Sequence, residues 1–537
     1  MNVGDQSKRL LSSSSSSTGG GKESAETKEE RGGHLSAQPF INNCYSEMCM
    51  SSAQVAPSVE KHKISWIIAA IFIVADMVGG GVVAMPVAFK KSGMTMGIII
   101  MLVIAVSFEY TGYLLGKVWN KLMERNPHIG VCRKPFPEMA KRTMGPFMQR
   151  FTSVLGNITL FGISIVYLLL SSNIIHYFIS NVLDLENISI CLVIFGLAVA
   201  IWPFTMLASP GEFWVVIVFA MLTTVVAVGS ILSGIAIDAD LCFPHAKYPD
   251  INPEDVFLSL GIFLFAFSGH YVFPTIQHDM KEPREFTKSV FVGFVGVILL
   301  YLPLCIFAFS VYGNSMDNSV IYSIQTPSLQ LLANLMIAFH CIMTLVIVIN
   351  PLNQEVEHYL NISHSFGPGR LITRSVVLML VLFIALTVPD FGPVMNLVGS
   401  STIPMGCAVL PSLFYLYNEA ATEEEWRKNK IPTFKQVLQR TDKTILIVNV
   451  LIILTSLVGG AMGTYQAIVK LNEAQFSAPC YVRLFNDQQY GNTFQVKNIC
   501  CGALGNISRF NSTSKYLKGA PYSYLNQARF PGGAPTL

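Results

Sequence analysis

The chain has 537 residues, of which 52% are hydrophobic and 13% charged, a balance that excludes an ordinary soluble surface. It reads as a polytopic membrane protein in a lipid bilayer, with no nucleic acid partner. The net charge of +3 informs only when split by loop, and the eleven cysteines need no metal.

Residues 1–62 form a polar tail with the run Ser12 to Ser17 and the charged stretch Lys22 to Arg31. Such a composition cannot bury a core, so the tail is expected to be disordered and cytosolic. Residues 63–470 hold the apolar segments. Runs long enough for a hydrocarbon layer of about 30 Å fall at roughly 65–89, 95–116, 151–180, 189–207, 213–236, 256–276, 289–312, 328–349, 371–388, 391–417 and 444–468. That is eleven spans in an all-α fold.

With a cytosolic N-terminus, the inside loops 117–150, 277–288, 350–374 and 418–443 carry 8, 3, 2 and 6 Lys or Arg. The outside loops carry only Lys90, Lys91 and Lys247. This asymmetry fixes the expected orientation. An odd number of spans then places residues 471–537 in an exoplasmic tail. Asn506 and Asn511 in that tail, and Asn187 after span three, head glycosylation sequons. Cys242, Cys480, Cys500 and Cys501 share the same side, where disulfides persist, and a bridge from Cys480 to Cys500 or Cys501 is expected.

Span one contains Asp76, Val78, the triplet Gly79-Gly80-Gly81 and Pro86. Glycine and proline weaken helix continuity, and freed backbone groups are tolerated at membrane depth only where they line a protein-enclosed or wet cavity. Span six repeats the pattern in Ser268-Gly269-His270-Tyr271-Val272-Phe273-Pro274, where proline again follows a glycine by five residues. Two interrupted spans in corresponding halves point to a secondary transporter with an inverted repeat and a midplane site.

On this logic the amides around Gly79, Gly80 and Gly81 suit a carboxylate, and the backbone from Ala266 to Ser268 suits an amino group. The glycines alternatively permit close helix packing. Asp76 lies mid-span, where an ionised carboxylate costs about 2.5–3.5 kcal/mol or more. It either carries a proton, stays charged to hold a cation or ammonium, or bonds a neighbouring helix. His270 is either a proton relay or substrate contact, or a neutral cap on freed carbonyls. Glu109, His176 and His340 are also intramembrane and ionisable; of these Glu109 is the least easily explained by structure. Phe267 and Tyr271 are candidates for an aromatic wall or gate. Asn396, Ser400, Ser401 and Thr402 form a polar cluster in span ten that either borders the pocket or packs helices.

The stretch from Val78 to Phe89 resembles the G-x-G-(I/V)-L-x-(L/M)-P-x-A-F signature of the amino acid/auxin permease family, which includes the vesicular inhibitory amino acid transporters. Phe263 to Ile276, with Met280-Lys281-Glu282-Pro283, resembles that family's sixth helix and following loop. Asn396 to Ser400 and Leu410 to Phe414 are similar to its tenth helix. The resemblance implies eleven helices, ten of them in the five-plus-five inverted repeat of the leucine-transporter fold of the APC superfamily. It also implies proton-driven transport of small neutral amino acids. Asp76 departs from many relatives, which carry a small or amide side chain there, and the C-terminal extension is longer than expected for the family.

The sequence therefore leads to a secondary amino acid transporter with Val78 to Gly81, Ala266 to Gly269 and Tyr271 at the substrate and Asp76 and His270 at the ion. No cofactor is expected; the driving ion is a proton, with sodium as the alternative. The competing function is an amino acid sensor with little flux. No nucleophile with an adjacent base and no phosphate loop suggests an enzyme. The membrane is either the plasma membrane or an endolysosomal or vesicular one.

Overall fold

The computed structural model describes residues 49–51, 63–127, 129–132, 134–182, 188–206, 214–362, 367–473, 479–483, 501–502 and 507–509. Of the expected disordered tail 1–62 only residues 49–51 are described, and they correct that expectation locally by forming a strand; the sequons at Asn187, Asn506 and Asn511, and Cys500, lie outside the described residues.

Helix α1 (Trp66–Met77) starts on Ser65, whose hydroxyl accepts the Ile68 N–H at 3.4 Å and so satisfies one first-turn donor. It is followed by α2 (Gly81–Ser92), and the pair bends by 57°. Gly93 (φ 76°) turns the chain directly into α3 (Met94–Arg125); a side chain there would be strained, and its Cβ would come within 2.6 Å of Ile251. Helix α4 (Pro135–Met144) is short and amphipathic, and precedes the long α5 (Pro146–Val182). Next come α6 (Ile190–Thr205) and α7 (Trp214–Cys242).

The second broken region comprises α8 (Pro253–Ala266) and α9 (Phe273–His278). Helices α10 (Phe286–Tyr312), α11 (Pro327–Tyr359) and α12 (Pro368–Thr387) complete the middle of the chain. Then α13 (Phe391–Ser401) runs through a π-helical segment, Met405–Val409, into α14 (Leu410–Ala420). Two short capped helices, α15 (Glu423–Arg427) and α16 (Phe434–Arg440), lead to α17 (Lys443–Glu473), and α18 (Cys480–Arg483) lies beyond it. One two-stranded antiparallel sheet joins β1 (Cys49–Ser51) to β2 (Ile129–Cys132).

Among the described residues, eight helices are long and apolar enough to cross a membrane, or nine if the bent α1/α2 pair counts as one span. Helix α6 and the α8/α9 pair fall outside that count, α6 because it has only 16 residues. The outer faces carry exposed large apolar side chains such as Val106, Phe291, Leu299 and Val458, as a lipid-facing surface requires. Inside, α11 packs on α5 and α7, while α8 packs on α2 and α13.

Both ends of the bundle are tied. At the end bearing the basic loops, Glu357 of α11 is buried with Arg374 at 2.5 Å and Arg370 at 3.6 Å, and Arg374 also donates to Thr205 O at 2.7 Å. These bonds join α6, α11 and α12. Beside them Lys134, just before α4, pairs with Glu355, which also accepts from Ser153.

The opposite end carries two disulfides, and they correct the expected pairing. Cys480 bonds Cys191, not Cys500 or Cys501, and Cys501 bonds Cys242. The separations of 289 and 259 residues are the reason: the partners are brought together by helix packing, not by proximity in the tail.

Candidate functional site

The first break is short. Val78 still donates to Val74 O at 2.9 Å, the chain turns through Gly79 and Gly80, and the amides of Gly79 and Gly81 find no backbone carbonyl among the described residues. The freed carbonyl of Met77 instead accepts the Tyr301 hydroxyl of α10 at 2.9 Å. The Gly80 N–H lies at the Tyr167 hydroxyl of α5. A Cβ on Gly79 would sit 2.6 Å from that hydroxyl and 2.7 Å from Nε2 of His340 on α11, so only glycine fits.

At the second break α8 ends at Ala266, and Phe265 O accepts both the N–H and the hydroxyl of Ser268, at 3.2 and 2.8 Å. Val272 N–H closes a turn on Gly269 O at 2.9 Å. The Gly269 and His270 amides point at the Cys407 sulfur in the π-helical segment. Extra residues in such segments expose backbone that a regular helix would hide.

The two breaks meet. A Cβ on Gly81 would stand 2.9 Å from Ala266 Cβ, one on Gly80 would stand 3.8 Å from the Phe265 ring, and one on Gly269 would stand 2.7 Å from Asp76 Oδ2. The pairing order, 76 with 269 and 81 with 266, is that of two antiparallel segments. The half-buried Asp76 carboxylate has no hydrogen-bond or ion-pair partner among the described residues. Freed amides and an unpaired carboxylate therefore share one mid-bundle location, suited to an ion or a zwitterion.

Other expected residues are placed differently. His270 is fully buried and turned to α3, donating from Nε2 to Phe108 O at 2.9 Å with Thr111 Oγ1 at 3.0 Å, and stacking on Phe273 at 4.8 Å. Phe267 lies in the core against Phe294 and Tyr301 of α10. Tyr271 packs on Phe136 of α4 at 4.8 Å and next to Gly156 and Gly406, closing the basic end beneath the break. Asn396 approaches Gly261 backbone to backbone, where an added Cβ would be 2.5 Å from Asn396 O. Ser400 donates to Asn396 O at 2.7 Å and accepts from Thr464 of α17 at 3.3 Å. Asn396 and Ser400 thus take part in helix packing. Glu109 is half-buried on α3 and forms no bond to either break.

Tyr167, Tyr301, Cys407 and the role of His340 at Gly79 escaped the sequence reading. The available signal was weak: each is a polar or polarisable side chain in the middle of an otherwise apolar helix.

Paired helix breaks packed against each other inside a nearly all-helical bundle define the leucine-transporter fold. Solved structures share it. A manganese transporter of Eremococcus coleocola, crystallised with an aromatic bis-isothiourea substituted compound, matches with a TM-score of 0.51 and 12% identity over 83% of this chain and 94% of its own. MhsT in complex with L-phenylalanine matches with a TM-score of 0.50 and 10% identity over 76% of this chain and all (100%) of its own. At that identity the likeness is one of fold alone.

Residues 62–469 match the family described as "Transmembrane amino acid transporter protein", and the chain belongs to that family. Similar relatives in Arabidopsis thaliana are the amino acid transporter AVT1H, 26% identical over 66% of this chain and 81% of its own length, and AVT1D, 24% identical over 73% and 68%. The protein is thus a multi-pass integral membrane protein of a family of transporters rather than enzymes.

Proposed function

We propose that this protein is a secondary active transporter of small neutral amino acids that works by alternating access and is driven by protons. The observation that carries the reading is the meeting of the two breaks at Asp76 and Gly269. The substrate carboxylate takes the free amides at Gly79 and Gly81, and its ammonium group takes carbonyls near Ala266 to Ser268. Asp76, with no internal partner, carries the coupled proton.

Movement is the rocking of the group holding both breaks, with α3 and α10, against α5, α6, α11 and α12. The buried Glu357, Arg370 and Arg374 cluster supports a rigid α6/α11/α12 unit. In this reading the basic end faces the cytosol and the disulfide-bearing end faces an oxidising exoplasmic space.

The test is uptake of a mixed set of labelled amino acids into proteoliposomes, with and without an inward proton gradient. Gradient-stimulated uptake of at least one amino acid supports the proposal. Stimulation by sodium alone reassigns the ion, and binding without flux under any gradient replaces the transporter with a sensor.

A further inference from the structure

The family match ends at residue 469, yet the chain beyond it is bonded back to the bundle at two places. Cys480 is joined to Cys191 in the first turn of α6, and Tyr481 stacks on Phe383 of α12 with centroids 6.1 Å apart. Cys501 is joined to Cys242 at the last residue of α7. A tail needed only for solubility would not use two covalent anchors.

The second anchor surrounds one side chain. Gln325, in the loop between α10 and α11, is 2% exposed. Its Nε2 lies 3.2 Å from both Cys242 Sγ and Cys501 Sγ and 3.4 Å from Ile507 O, while its Oε1 accepts the Arg509 N–H at 2.6 Å. Its own N–H donates to Asp238 at 2.8 Å, which also accepts the Tyr312 hydroxyl at 2.7 Å. Arg509 in turn donates to Ile237 O at 2.5 Å and pairs with Asp240 at the end of α7. Cys501 and Ile507 exchange backbone hydrogen bonds of 2.8 and 3.1 Å, so the contacting piece is internally fixed.

The same loop touches the outer half of the broken span. Lys90, in the last turn of α2, donates to Met316 O at 2.5 Å. Any movement of α2 away from the loop must exchange that bond, and how far the loop follows depends on what holds it.

We infer that residues 479–483, 501–502 and 507–509, anchored to the bundle by the two disulfides, act as a strap that positions the α10–α11 loop as the stationary wall of the exoplasmic gate. Gln325 and Arg509 are its positioning residues. The two disulfides hold the strap to α6 and α7, so that α2 opens and closes against a loop that does not travel with it.

The test reads gate opening directly and does not depend on which solute is carried. Ser92 is fully buried at the outer end of α2, so Ser92→Cys in a Cys500→Ser background is the reporter. Labelling by a membrane-impermeant maleimide is timed in the full-length protein with the strap intact, with Arg509→Ala, and with Cys242→Ser and Cys501→Ser together. Loss of a restraint that keeps local openings rare should speed labelling by about tenfold in both variants. Arg509→Ala keeps both disulfides and guards against misfolding of the double variant. Unchanged labelling in Arg509→Ala, with or without a lower melting temperature in the double variant, would show a stabilising staple and overturn the inference.

Discussion

The Asp76 carboxylate and the Gly269 backbone are in contact across the two breaks, with Oδ2 standing 2.7 Å from where a Gly269 methyl would lie. Gly269→Ala must therefore displace the carboxylate or the Phe273 ring, which stands at 3.0 Å. Overpacking of this kind costs about 1–3 kcal/mol. The expected outcome is a loss of uptake of about tenfold or more with the protein still folded, checked by initial rates normalised to reconstituted protein and by its melting curve. Gly79→Ala, facing Tyr167 and His340, should behave alike.

Ser400 provides the contrast. Its hydroxyl is used within α13 and toward Thr464, so Ser400→Ala removes hydrogen bonds worth about 0.5–1.5 kcal/mol each. A small drop in melting temperature with an unchanged KM is expected. A raised KM at unchanged stability would return Ser400 to the pocket.

The location of the breaks was legible because glycine and proline in an apolar run cannot be neutral at membrane depth. Their meeting could be anticipated from the repeat. What each flanking side chain faces could not, since Phe267 and Tyr271 are four residues apart yet pack on α10 and α4 respectively. The expected Cys480 bridge within the tail failed because disulfide pairing depends on which helix ends become neighbours. His340 was visible as an intramembrane histidine, but its approach to Gly79 depends on how α11 packs on α5 and α7.

Glu357 is buried between two arginines where α6, α11 and α12 converge. Arg374→Ala strips the carboxylate of its nearest partner, and such losses cost about 3–5 kcal/mol because a buried charge is left uncompensated. The melting temperature should fall markedly, with a smaller fall when Glu357→Gln is added to Arg374→Ala. Equal falls in the two proteins would mean that the charge left on Glu357 is not what costs the stability.

Outside the spans, the Glu425 carboxyl is held down to about 2, first by its hydrogen bond to Arg440 and then by the Thr422 N–H it accepts in the α15 capping box. A depressed carboxyl stabilises the fold above its unfolded value of 4.5 and loses that contribution as pH falls toward 2. Amide exchange at Thr422 should therefore lose protection only across that acid window. In Arg440→Ala the loss should begin at higher pH; an unshifted profile would assign the protection to the cap alone.

Asp76, unpaired between the breaks, is the residue proposed to carry the coupled ion. The most direct test of that role is a comparison of wild type and Asp76→Asn in proteoliposomes, measuring net uptake under a proton gradient beside gradient-free exchange of the same labelled amino acid. Asp76→Asn is expected to abolish gradient stimulation while exchange persists. Full gradient stimulation in Asp76→Asn would contradict it.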